Sequence, residues 1–333
     1  MWQLTQRYTQ VFLVAAGLCF ASASQAQTTW DAATGFADSN IHTKNFRQFA
    51  EEVDVASSGK FRINIRSNGS LFKQPEIRRA IQTKQVQMGE IFLGAYGNED
   101  PFFEVDTVPF LAGKFEREAY DDARRLWELS RAQIEERFAR TGLMPLYVMP
   151  WPGMVLLSTV PIGTVNDFKR LKVRASAPTQ ARFAEHLGAS PTIIAAPEVA
   201  QAFAIGAVQA QMVSVLIGAD THAWEYTKTF YAIHGINAKN IILVNRQAFE
   251  SLSPELRAIV LKAAANAEKR GWEASFEAGK QAYRLLEEKG MMRAQLSQEV
   301  MAKFRGVGDV MTEEWIKKAG PGGAKVIDQF RAR

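Results

Sequence analysis

Residues 167–188 read DFKRLKVRASAPTQARFAEHLG. Leu171, Val173 and Ala175 alternate with Lys172 and Arg174, so a strand here has one apolar and one cationic face. Pro178 suits the first turn of a helix, and Gly188 after Leu187 suits its end. Arg174 then stands near a strand end, where the chain turns over. Open α/β sheets collect their ligands just beyond strand ends. A guanidinium there offers a planar fork of donors matched to a carboxylate. The competing assignment is an arginine on a solvated face, the commoner fate of a basic residue.

The same strand–helix alternation extends on both sides. Downstream, residues 192–195 and 207–214 read as strands, separated by a helix that Pro197 opens and Gly206 ends. Residues 224–231 are aromatic-rich and predict a helix. NIILVN at 240–245 predicts a buried strand and a return crossing. Ser253-Pro254-Glu255 starts a helix with a cap, a proline and an acid, and its pattern runs to Lys289. A helix that long can lie across two lobes. The tail, 297–333, predicts helical pieces broken at Gly320-Pro321-Gly322-Gly323.

Upstream, residues 30–40 look extended and loop-like. Phe46, Phe49, Ala50 and Val53 then recur at helical spacing up to Gly59. Phe61, Ile63 and Ile65 alternate with polar residues as a strand, and Asn68-Gly69 turns the chain. Pro75 opens a helix, and residues 85–90 alternate as a second strand. This βαβ-like opening indicates a mainly parallel sheet. Residues 106–110 form a loop or short strand, and 115–140 a long helix stopped by Gly142. A buried strand at 143–149 runs into Pro150-Trp151-Pro152-Gly153, a rigid crossing where the lobe changes, and 154–159 continue as strand.

The first residues carry an export pattern. Arg7 is the sole charge before Asp31, an apolar run covers 11–21, and Ser24 and Ala26 are small residues around a spacer. This predicts a secretory signal peptide, residues 1–26, cut after Ala26. The run is too short to span a membrane comfortably. Leu18 before Cys19 argues against a lipoprotein. Removing the leader removes the one cysteine, excluding disulfides and thiolate catalysis. The 40 basic side chains fall to 39 with Arg7 gone, against 35 acidic ones, a net +4. The two signs are interspersed, so no nucleic-acid footprint is visible.

Chemical motifs are absent. His42, His186, His222 and His234 do not stand at metal-ligand spacing, and no HExxH, GxSxG, P-loop or GxGxxG occurs. No metal, cofactor or catalytic set is expected. Glu90 follows a strand and could be a general acid, but capping, an ion pair or solvent exposure explains it as well.

Taken in order, these segments resemble one family. FRQFAEEV precedes GKFRINIRSNGSL, EIRRAIQTKQVQMGE and DTVPFL. DFKRLKVR, HLGASPTIIAAPEVAQAFAIGAVQAQ and LVNRQAFESLSPELRAIVLKAA follow. The order and spacing resemble the solute-binding proteins of tripartite ATP-independent periplasmic (TRAP) transporters, of the dicarboxylate-binding type. The resemblance implies an α/β, two-lobed periplasmic-binding-protein-like fold, with crossing strands, a long lobe-spanning helix and a cleft that closes by hinge motion. It implies lobe I over 27–150 plus about 240–278, and lobe II over 151–239 plus about 279–333. It makes Arg174 the carboxylate ligand.

Two departures stand out. Gln209-Ala210-Gln211 replaces a frequent DGQ, and Met154 stands nearest where a second basic residue often serves the carboxylate. One cation with Trp151, Met154 and Met212 as an apolar wall points to a monocarboxylate; core packing is the other account of those three. Asn40, His42, Glu90, Ser214 and Asn237 are further candidates, and Trp151 is a stacking surface for a planar ligand. The expected function is a periplasmic receptor in a Gram-negative bacterium, monomeric, delivering an organic acid to TRAP membrane permease subunits. A periplasmic enzyme using Glu90, or a sensor presenting its closed form to a membrane kinase, are the alternatives.

Overall fold

The structure, a computed structural model, describes residues 27–112 and 116–332; the expected leader and its cleavage point lie outside them. Two mixed sheets organise the chain. Strand β1 (Thr28–Ala33), helix α1 (Ile41–Ala56) and strand β2 (Phe61–Arg66) form a βαβ unit with parallel strands. Helix α2 (Ile77–Gln82) leads into β3 (Met88–Phe92), parallel to β1 on its other side. Residues 30–40, expected to be loop-like, therefore begin as an inner strand. Helix α3 (Glu116–Ala139) precedes β4 (Leu143–Pro150).

The chain leaves the first sheet at Pro150 and joins the second at β5 (Met154–Ser158). There follow β6 (Lys172–Ala175), α4 (Pro178–His186), β7 (Ser190–Ile193), α5 (Val199–Ala204), β8 (Ala210–Ser214), the short α6 (Val215–Asp220) and β9 (Thr229–Ala232). The aromatic stretch at 224–231 is not the expected helix. A short 3₁₀ turn at Ala223–Glu225 gives way to β9, which pairs with β5. Thr229, Phe230 and Tyr231 are good strand formers, and the open flank of β5 supplies the ladder.

Strand β10 (Lys239–Asn245) returns to the first sheet, antiparallel to β3 and β4. All seven of its residues are buried, which is why NIILVN carries no alternation. The two crossings lie side by side, with Trp151 N donating to Ala238 O at 2.8 Å. Helix α7 (Arg246–Glu250), the long α8 (Pro254–Glu288), β11 (Met292–Ala294) and α9 (Gln298–Arg331) complete the fold. The sheet orders are β2-β1-β3-β10-β4 and β11-β9-β5-β8-β6-β7.

Helix α8 spans both sheets. Val260, Ala263, Ala264 and Ala267 enter the core of the first, while Ala278, Ala282, Tyr283 and Leu286 enter the core of the second. Where it passes the first crossing it carries glycines. A Cβ on Gly271 or Gly279 would come within 3.0 Å of Met149 or Pro152. Helix α9 also serves two cores. Phe304 and Met311 pack in the second, and Trp315, Ile327 and Phe330 in the first, with Gly320 (φ +68°) supplying the bend between.

Candidate functional site

Strand β6 is the local cause of the site. It is parallel to β7 and β8, with Arg174 opposite Thr192 on one side and Gln211 on the other. The alternation holds: Val173 and Ala175 are buried and Lys172 is exposed. The cationic face is not simply solvated, because Arg174 is only 3% exposed. Its Nε donates to the carbonyl of Ile194 at 2.9 Å. Its Nη1 has no hydrogen-bond partner, and among the described residues no carboxylate forms an ion pair with it. Burial pulls its pKa down to about 10, so it remains a cation at neutral pH. A buried, unpaired guanidinium costs several kcal/mol, about as much as a ligand anion can offset.

Gln211 shares the neighbourhood and is fully buried. Its Nε2 donates to Tyr226 Oη at 3.4 Å, and that hydroxyl lies 2.6 Å from Thr221 Oγ1. Tyr226 stacks on Phe203 of α5, with centroids 4.6 Å apart.

A second polar cluster forms around the first crossing. Asn40 caps α1 by accepting from His42 N at 2.9 Å, and its amide donates to Asp220 at the end of α6 at 2.7 Å. This bond links an element of the first sheet to one of the second. His42 is 2% exposed and stacks on Trp151 at 4.0 Å. Its Nδ1 lies 3.2 Å from Glu90 Oε1, within ion-pair range but off the line that a hydrogen bond needs. Glu90 accepts from Thr34 Oγ1 at 2.5 Å and from Asn240 Nδ2 at 2.8 Å. Trp151 Nε1 donates to Asn240 Oδ1 at 2.8 Å.

The structure thus brings Asn40, His42, Glu90 and Trp151 together, and none of them hydrogen-bonds or ion-pairs with Arg174. Glu90 is held by neighbours on both oxygens. Trp151 is not an open stacking surface, because His42 covers one face and Phe36 leans on the ring with centroids 5.1 Å apart. Met154 and Met212 are each 2% exposed inside the core of the second sheet, where Met154 pairs with Ser214 and Met212 with Leu156. Both pack against the core of the second sheet. Ser214 caps α6 by accepting from Leu216 N at 3.3 Å, and Asn237 donates to Ala112 O at 2.8 Å.

Several groups were not visible as functional in the sequence. Lys239 opens β10 with Asp106 3.8 Å away, both almost fully buried. Burial pushes the Asp106 carboxyl up to about 6 and the Lys239 ammonium down. Glu104 grips Arg182 of α4 through two bonds, 3.0 and 2.9 Å. The usable signal was a polar residue inside an apolar strand: Asn240 in KNIILVN and Gln211 in AQMVS. Among the described residues, no group of His, Cys, Asp and Glu could hold a metal ion, and no helix is long and apolar enough to cross a membrane.

Two α/β sheets joined by crossing strands, with a buried cation that has no acid among the described residues, are the architecture of a two-lobed solute receptor. Residues 32–318 match the family described as bacterial extracellular solute-binding protein, family 7 (DctP), and the chain belongs to it. Solved structures agree. DctP6 of Bordetella pertussis, an extracytoplasmic solute receptor binding pyroglutamic acid, is 39% identical, covering 92% of this chain and all of its own, with a TM-score of 0.88. DctP7 of the same organism, described in the same words, is 34% identical over 91% of this chain and 99% of its own, at 0.88. A marine metagenome TRAP solute-binding protein specific for pyroglutamate is 29% identical over 92% of this chain and 100% of its own, again at 0.88. The protein is therefore a TRAP-type solute-binding receptor of the extracytoplasmic compartment.

Proposed function

We propose that this receptor captures a small monocarboxylate, with pyroglutamate the first choice, by pairing its carboxylate with Arg174. One observation carries the proposal: Arg174 is buried, charged and, among the described residues, without an acid, and its Nη1 has no partner. An incoming carboxylate supplies what the fold withholds. A single charge fits better than two, because Met154 lies in the core and offers no second cation. The three pyroglutamate receptors among the similar structures support the choice of acid.

Delivery to the membrane subunits of a TRAP transporter follows as the downstream step, with the receptor acting as a monomer after its leader is cut behind Ala26. On this reading the lobes are 27–150 plus about 240–278 and 151–239 plus about 279–333; the end of α9, from Trp315, packs on the first core. Transport is favoured over turnover because both oxygens of Glu90, the candidate acid, are taken by Thr34 and Asn240. The test is a thermal-shift and calorimetric screen of carboxylates. A true ligand at 100 times its dissociation constant adds about 2.7 kcal/mol of stability. A protein whose melting point responds to no organic acid, or whose Arg174→Ala variant binds as tightly as wild type, overturns the proposal.

A further inference from the structure

Parallel pairing of β6 with β8 places Arg174 opposite Gln211. In-register side chains on neighbouring strands share a face, with backbones about 4.8 Å apart. Arg174 is 3% exposed and Gln211 is fully buried. Arg174 Nη1 is a donor without a partner, and Gln211 Oε1 is an acceptor without one. The two stand side by side without a hydrogen bond to each other. Each is tethered elsewhere: Arg174 through Nε to Ile194 O, and Gln211 through Nε2 to Tyr226 Oη. Tyr226 is anchored in turn by Thr221 and Phe203. The tethers leave one cationic donor and one neutral acceptor free together.

Buried polar groups of this kind are costly unless something satisfies them. A bare carboxylate answers only Arg174. It would also bring its lone pairs towards the lone pairs of Gln211 Oε1. A ligand with an N–H or O–H close to its carboxylate answers both groups at once. We infer that Gln211 is a specificity-determining residue, selecting acids that carry a hydrogen-bond donor on the carbon next to the carboxylate: α-hydroxy acids, α-amino acids and cyclic amides. The inference rests on the reading of Arg174 as the carboxylate anchor. It adds that Gln211, not Arg174, distinguishes one monocarboxylate from another. A site built to satisfy a ligand N–H discriminates strongly against an isostere lacking it, because its own acceptor is then stranded.

The test uses two acids of the same shape: pyroglutamate, and the lactone in which a ring oxygen replaces the lactam N–H. Calorimetry on the wild-type receptor should show the lactam bound about 10- to 100-fold more tightly. Gln211→Met keeps the volume and removes the acceptor, so the ratio should close to within about threefold, chiefly through weaker lactam binding. Gln211→Glu should weaken both acids together, because its carboxylate would pair with Arg174 and compete with the ligand. Equal binding of lactam and lactone by wild type, with both still dependent on Arg174, overturns this inference and leaves the receptor proposal standing. Preference for the lactam that survives Gln211→Met also overturns it. Failure of both acids to bind in an Arg174-dependent way overturns this inference together with pyroglutamate as the ligand.

Discussion

Arg174 and Lys239 are both buried cations, 3% and 1% exposed, and they are buried for opposite ends. Lys239 opens the strand that returns to the first sheet and faces Asp106, so its charge has an internal answer. Arg174 lies on an inner strand of the second sheet and has none among the described residues. The two polar clusters differ in degree. Around Trp151, the donors and acceptors of Glu90, Asn240 and Thr34 are largely spent on each other. Around Arg174, a donor and an acceptor remain open. Both ring nitrogens of His42 also lack a hydrogen-bond partner, so what sets Arg174 apart is a buried full charge with no opposite charge beside it among the described residues.

Four experiments would break or sharpen that contrast. The largest effect is expected on binding. Arg174→Ala should weaken the carboxylate ligand at least about 100-fold, since removing one member of a buried ion pair costs about 3–5 kcal/mol. Its melting point without ligand should not fall, because no internal acid is stranded. A large drop in that unliganded melting point would mean that Arg174 is structural after all.

Lys239→Met reverses the pattern: it should spare binding chemistry and damage stability in a pH-dependent way. The Asp106 carboxyl is raised to about 6 in the fold, so its ionisation removes stability as pH climbs from about 4 through 6. Without Lys239 the carboxyl rises further and the loss extends to higher pH. The variant should melt near wild type at about pH 5 and be about 3–5 kcal/mol less stable at about pH 8. A melting-point difference that does not change with pH would break the assignment of this pair.

Arg182→Ala tests a third charge. It leaves the buried Glu104 without its fork and should cost about 1–3 kcal/mol in denaturant unfolding, with a smaller effect on affinity. Unchanged stability would show that Glu104 finds other partners. The smallest effect is expected for Asn40→Ala, which removes the α1 cap and the bond to Asp220. About 1–2 kcal/mol should be lost. Asn40→Ser, which keeps a capping oxygen, should recover most of it.

Much of the fold could be read locally. The strand–helix alternation, the turn at Asn68-Gly69 and the capped start of α8 at Ser253 all rest on signals within a few residues. The misread elements are those that tertiary contacts impose. Strand β9 forms because β5 offers it a ladder, although its aromatic residues also fit a helix. Strand β1 sits between two others although its flank resembles a loop. Of the candidate site residues, Arg174 could be singled out by its place at a strand end, although a solvated face is the commoner fate of a basic residue. Met154 and Met212 could not be assigned from sequence, since a methionine fits a core and a cleft equally well. Gln211 stands out in the sequence only as the last residue of Gln209-Ala210-Gln211, where DGQ is frequent.

The sequence by itself determined the class of fold, the order of its segments and the position of the cation proposed as anchor. Those are properties of periodicity and order, which the chain carries in one dimension. Only the tertiary structure decided that Arg174 is buried without an acid, that Trp151 is covered by His42 and Phe36, and that Gln211 is the neighbour of Arg174. Each depends on which strand lies beside which, and in what register. Register is fixed by burying the apolar face of a whole sheet at once, so no local stretch of sequence records it.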